Sequence, residues 1–142
     1  MRVLVCGGRM FGRTINGYGV EVVNPVECDL LYKTLEDMAK EFSKEYVSDD
    51  NWLPLDITII SGAAKGADTL AADWAAMNWT HLEEYPADWK TYGRAAGYKR
   101  NVQMLTEGKP DLVIAFPGGT GTDMMCRLAE AVGVEVRRID AV

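Results

Sequence analysis

The residues best placed to do chemistry lie in Pro117-Gly118-Gly119-Thr120-Gly121-Thr122. Glycines let a backbone turn sharply and approach a bound group with no Cβ in the way. Two threonine hydroxyls add donors that rotate to suit an acceptor. The apolar run DLVIAF leads into this stretch, and DMMCRLAEAVG follows it with apolar residues at helical spacing. The order is therefore buried strand, glycine turn, helix start. A helix start offers unpaired N–H groups and partial positive charge, a combination that receives an anion. A phosphate or ribose phosphate fits that pattern, and a plain turn needs fewer glycines.

Two further loops repeat the arrangement. RVLVC runs into Gly7-Gly8-Arg9, and ITII runs into Ser61-Gly62-Ala63-Ala64-Lys65-Gly66. Arg9, Lys65 and Ser61 are the side chains there that could hold an anion. The carboxylates that could move a proton are Asp68 and Asp123, each in a first helical turn where dipole stabilisation is the plainer role. The phosphate-loop pattern GxxxxGK[ST] is absent, and G-x-G-x-x-G fails because Met124 occupies its last glycine. His81 is the sole histidine, which gives a Ser-His-Asp triad little support. Cys6 ends a strand beside a glycine loop, where buried thiol is a commoner role than nucleophile. Asp49-Asp50 and Glu83-Glu84 read as solvated charge. Trp74, Trp79 and Trp89 read as packing, with Trp89, beside Tyr92, the best candidate for stacking on a base.

The elements that must position these loops alternate. Strands are expected at 2–6, 57–60, 80–85, 111–116 and 134–139. The strand at 80–85 is less apolar and so nearer an edge. Helices are expected at 27–46, 67–78, 94–106 and from the third glycine loop to about Val132. The first helix uses Leu30, Leu31, Leu35, Met38, Phe42 and Tyr46; that at 94–106 uses Ala95, Ala96, Tyr98, Val102 and Leu105 as its core side. Residues 10–26, punctuated by Gly12, Gly17, Gly19 and Pro25, read as a loop without regular structure, SDDNWLPLD as a turn-rich connection and PADWKTYG as a loop. Alternating strands and helices predict an α/β fold: one Rossmann-like, doubly wound domain over 1–142 with a five-stranded parallel sheet in the order 3-2-1-4-5. Ligands of such sheets bind beyond the carboxyl ends of the strands, where the strand order reverses. In that order the three glycine loops share one crevice.

Composition narrows the function. A net charge of −6 argues against a protein that coats nucleic acid. Cys6, Cys28 and Cys126 are odd in number, widely spaced and free of any CxxC pair, so neither a disulfide framework nor a zinc site is expected. Reduced cytoplasm is the natural compartment. No run resembles a signal peptide or a membrane span. No metal and no resident cofactor is expected.

MRVLVCGGR, SGAAKGADTLAADWA, YPADWKTYGRAAGYKRN and DLVIAFPGGTGT, in this order, resemble the YspA-like branch of the SLOG superfamily. That superfamily includes the LOG-type phosphoribohydrolases and the DNA-processing protein DprA. The resemblance covers most of the chain outside residues 10–56. It implies a Rossmann-like fold, a pocket for nucleotides or nucleotide-derived ligands such as NAD- or ADP-ribose-like molecules, and self-association. LOG-type enzymes carry PGGxGTxxE and, before it, a motif close to ERKxxM. GYKRNVQM aligns Arg100 with that arginine and Met104 with that methionine, whereas PGGTGTDMM puts Met125 where the enzymes have their catalytic glutamate. With the resemblance, the expected ligand-binding set is Gly7, Gly8, Arg9, Ser61, Gly62, Lys65, Arg100 and Gly118 to Thr122. Binding of a nucleotide-derived ligand, as sensor, carrier or sequestering protein, is the leading function. Hydrolysis of a nucleotide N-glycosidic bond through Asp123 or Asp68 is the alternative, and single-stranded DNA binding, by analogy with DprA, comes third. On this expectation Arg100 clamps phosphate without serving the fold, and Met125→Glu restores the enzymes' pattern.

Overall fold

The computed structural model describes residues 1–42 and 57–141. In chain order the elements are β1 (Arg2–Cys6), β2 (Arg13–Ile15), β3 (Glu21–Val23), α1 (Pro25–Phe42), β4 (Thr58–Ser61), α2 (Ala67–Met77) and β5 (His81–Glu84). Then follow α3 (Trp89–Tyr92), a single 3₁₀ turn (Gly93–Ala95), α4 (Ala96–Thr106), β6 (Leu112–Ala115), α5 (Thr120–Ala131) and β7 (Glu135–Arg138). Tyr46, Asp49-Asp50 and the connection at 48–56 lie outside the described residues.

Five parallel strands form the main sheet in the order β5-β4-β1-β6-β7. Counted along the chain these are strands 3-2-1-4-5, as the alternation predicts. The apolar runs separate by parity, because successive side chains of a strand point to opposite faces. Val3, Val5, Ile59, Leu112 and Ile114 face the helices α1 and α2. Leu4, Cys6, Ile60, Val113 and Ala115 face α4 and α5. The central strands are buried on both sides, so they are continuous in Val, Ile and Leu. At the edges, β5 and β7 are largely exposed and correspondingly charged.

Several expectations need correction. Residues 10–26 are not irregular: β2 and β3 pair antiparallel, with Thr14 opposite Val22, and α1 already begins at Pro25. The hairpin is tied down at its base, where the Gly12 N–H donates to Glu27 and the Asn24 N–H to the Gly12 carbonyl. Residues within PADWKTYG form the short helix α3, started by Asp88, whose carboxylate accepts from the Thr91 N–H at 3.1 Å. Helix α4 buries Ala96, Asn101 and Met104, while Ala95 and Tyr98 are exposed, so its inner face is rotated from the expected one. Trp74 is core, but Trp79 is 89% exposed in the turn that ends α2. Glu83 is not simply solvated. Its carboxylate accepts from Arg2 and from the Tyr85 hydroxyl, and the Arg2 hydrogen bond holds it below the usual carboxylate range.

Candidate functional site

The loops after β1, β4 and β6 meet above the carboxyl ends of those strands, and main-chain atoms stitch them together. The Gly8 N–H donates to the Pro117 carbonyl at 2.9 Å, and the Gly8 carbonyl accepts from the Ala67 N–H at 3.2 Å. No Cβ fits at several of these contacts. At Gly7 one would stand 2.6 Å from the Cβ of Ala67, and at Gly118 it would lie 2.8 Å from the Gly8 nitrogen. Gly66 has φ of 80°, and a Cβ there would run into the Gly8 carbonyl oxygen. The meeting of the loops of β1 and β6 lies where the strand order reverses.

At the start of α5, Gly119 is the N-cap and provides no side-chain cap. The N–H groups of Thr120, Gly121 and Thr122 therefore meet no acceptor among the described residues. Gly118, Gly119, Thr120 and Gly121 are exposed, and Thr122 is half-buried. Asp123 does not serve this turn. It is exposed, pairs with Arg138 at 3.3 Å and lines a shallow cavity with Gly118 and Thr122. Arg9 is exposed, and with Gly118 and Gly119 it lines a cavity of about 470 Å³. Its guanidinium lies 5.3 Å from the Trp89 ring centroid, so Trp89 reaches over from α3 to the mouth of the crevice.

The loop after β4 is built differently. Ser61 is fully buried; its hydroxyl accepts from the Ala63 N–H at 3.2 Å, so it serves the loop and has no open side for a ligand. Asp68 is also buried, and its carboxylate accepts from the Ala64 N–H at 3.1 Å. Burial raises its pKa to about 6, while the Ala64 N–H and then Arg100 act to lower it. Ala63 is held at φ of 57°, a left-handed conformation that disfavours a residue with a Cβ. Lys65 is exposed and has no ion-pair partner among the described residues.

Arg100 does more for the fold than a pure ligand clamp. One terminal nitrogen donates to the Gly62 carbonyl, and Nε donates to the Asn101 side chain at 3.1 Å. Its other terminal nitrogen has no protein partner among the described residues. Burial draws the guanidinium below its ordinary range, against the pull of Asp68. Asn101, absent from the expected site, is 5% exposed and donates to the Gly121 carbonyl at 3.3 Å. It thus links Arg100 to the first turn of α5. A polar residue on the buried stripe of an amphipathic helix was the signal that could have found it.

Three other candidates separate from the crevice. His81 opens β5 opposite Thr58, at the far end of the strand pair from Ser61, so Ser61 and His81 do not pair. Cys6 hydrogen-bonds with Cys126 and is buried; both effects hold its thiol well above its ordinary range, which disfavours a thiolate nucleophile. Met125 is 1% exposed and packs in the core with Met104 and Ile60. A glutamate there would be a buried, unpaired carboxylate and would not be an added catalyst. Met125→Glu is expected to lose about 3–5 kcal/mol of stability, the range for an uncompensated buried charge, measured by urea unfolding.

The arrangement defines a class: an α/β protein with a glycine-lined crevice at its topological switch point. The family of YspA, cpYpsA-related SLOG proteins (YAcAr) matches residues 1–92. The chain belongs to this SLOG family. The matched segment includes the first two glycine loops and Trp89, and ends before Arg100 and Gly118–Thr122. Gene 61 protein of Mycobacterium phage D29 is 34% identical over 93 residues, 58% of this chain and 71% of that protein. No solved structure matches the chain. No described helix is long and apolar enough to cross a membrane.

Proposed function

We propose that this SLOG domain binds a nucleotide-derived small molecule, a nucleoside phosphate or an NAD- or ADP-ribose-like compound, as a sensor, carrier or sequestering protein. One observation carries the reading: three N–H groups at the start of α5 lack acceptors among the described residues, in a crevice shared with Arg9 and tied to Arg100. Arg9 and the free terminal nitrogen of Arg100 supply charge, and Trp89 supplies a flat apolar face. Calorimetric titration with AMP and ADP-ribose should give saturable binding, and native mass spectrometry of the purified protein should reveal a co-purifying nucleotide. Absence of both would sink the reading.

Asp68 supports a second reading, hydrolysis of a nucleotide N-glycosidic bond. It is a buried carboxylate with pKa raised to about 6 beside Arg100, as a general acid or base at neutral pH requires. Release of free base that disappears in Asp68→Asn would favour that reading over binding alone. Nucleic acid is disfavoured as a partner by the net charge of −6. A single domain, self-association and a cytoplasmic setting belong to the same proposal. The free thiols of Cys6, Cys28 and Cys126 agree with a reducing compartment.

A further inference from the structure

On the other side of Arg9 lies a second cavity, of about 440 Å³, under the β2–β3 hairpin. Arg9, Phe11 and Arg13 line both this cavity and the one over Gly118 and Gly119, so they form the wall the two share. Each space has the size of a small-molecule site. Helices α1 and α2 contribute Tyr32, Leu70 and Asp73 to the hairpin cavity, and β3 contributes Val23 and the Glu21 carboxylate. Its inner wall is thus apolar and partly aromatic, with a carboxylate at hand for hydroxyl or amine donors. Arg13 and Lys65 also line it, and neither has an ion-pair partner among the described residues. Arg9, Arg13 and Lys65 outnumber Glu21 and Asp73 along this lining, which suits an anion lying across the shared wall.

We infer that the hairpin cavity is a second subsite, and that the ligand is a molecule of two ring-bearing halves joined by a short anionic bridge. The anionic bridge runs from the start of α5 across Arg9 and Arg13, one half lies over Gly118 and Gly119, and the other half lies under the hairpin against Tyr32, Leu70 and Asp73. This gives residues 10–26 a purpose: they wall a specificity pocket. The inference rests on the binding reading above and extends it to the length of the ligand.

Cys28 lines the hairpin cavity and is half-buried, while Cys6 and Cys126 are buried in the core. Its alkylation by iodoacetamide therefore reports whether the cavity is filled. Saturating ADP-ribose is expected to slow labelling of Cys28 by about fivefold or more, through loss of access to the thiol. Saturating AMP is expected to leave it unchanged. Val23 is 58% exposed, so Val23→Trp can fill the cavity from the hairpin without disturbing the core. That variant should bind ADP-ribose about tenfold more weakly, roughly 1.4 kcal/mol, with AMP affinity retained. If AMP binds and ADP-ribose neither binds more tightly nor protects Cys28, the second subsite is wrong and the binding reading stands. Equal protection by AMP would likewise overturn the two-part ligand, by placing a mononucleotide under the hairpin. If neither compound binds the natural protein, both readings fail.

Discussion

The loop after β4 and the loop after β6 face one crevice, and they are built in opposite ways. In the first, polar groups satisfy one another: Ser61 accepts from Ala63, and Asp68 accepts from Ala64. In the second, the cap is a glycine and three N–H groups are left without partners among the described residues. Both loops are rich in glycine, and the glycines have different reasons. Gly66 has positive φ and abuts the backbone of the first loop, whereas a Cβ on Gly119 or Gly121 would meet nothing within 4 Å. One loop is scaffold, and the other is surface held open. Glycine count alone does not tell these apart; the fate of each loop's hydrogen-bonding groups does.

The largest effect should come from the scaffold loop. Asp68 has a native pKa of about 6 against 3.8 for the free group. Below pH 3.8 both folded and unfolded chains hold the proton, and above about pH 6 neither does. Between these values the native state keeps a proton the unfolded chain has lost, so stability falls as pH rises through this window. The total is on the order of 3 kcal/mol from the size of the shift. Urea midpoints measured from pH 4 to pH 7 should show that decline, and Asp68→Asn should flatten it. An unchanged slope would mean that Asp68 is solvated and the loop is not self-contained.

Arg100 tests the seam between the two loops, since it holds Gly62 and, through Asn101, reaches Gly121. Arg100→Ala should weaken a phosphorylated ligand by about 1.5–3 kcal/mol, roughly ten- to hundredfold. It should also lower stability by about 1 kcal/mol, because the Gly62 carbonyl loses its donor. Loss of stability with full ligand affinity would make Arg100 scaffold only.

The smallest effect on stability is the most telling about the open loop. Gly119→Asp supplies the missing cap, and its carboxylate can accept from the N–H groups of the first turn. Stability should rise by about 0.5–1 kcal/mol, from the cap and the helix dipole together. Binding of AMP should fall sharply, because the same donors are now occupied. A variant that is more stable and still binds AMP would show that the anion sits elsewhere.

The central architecture was legible because β1, β4 and β6 are apolar runs that stop at glycines, and burial on both faces demands such runs. The hairpin was not. RTI and EVV are three residues each, set among glycines and mostly exposed, and their pairing is a relation between strands that no local period displays. Ser61 misled because a hydroxyl in a glycine loop resembles a ligand donor; as the last residue of β4 it turns inward. The alignment of Arg100 put that residue near the crevice but gave no sign of Gly62 or Asn101 as its partners. Met125 fitted the glutamate position in sequence, yet its side chain belongs to the α4–α5 side of the core.

The bond from Gly8 to Pro117, the bond from Ala67 to Gly8 and the contact of Gly66 with Gly8 all involve backbone atoms. Where the first loop meets the other two, the frame of the crevice is therefore nearly blind to which side chains line it. Arg9, Lys65, Thr120 and the hairpin face can be exchanged in descendants of this chain without loosening the junction of the three loops. Such a design separates inheritance of the frame from drift of the side chains along it: related proteins can keep the glycines while diverging in the lining.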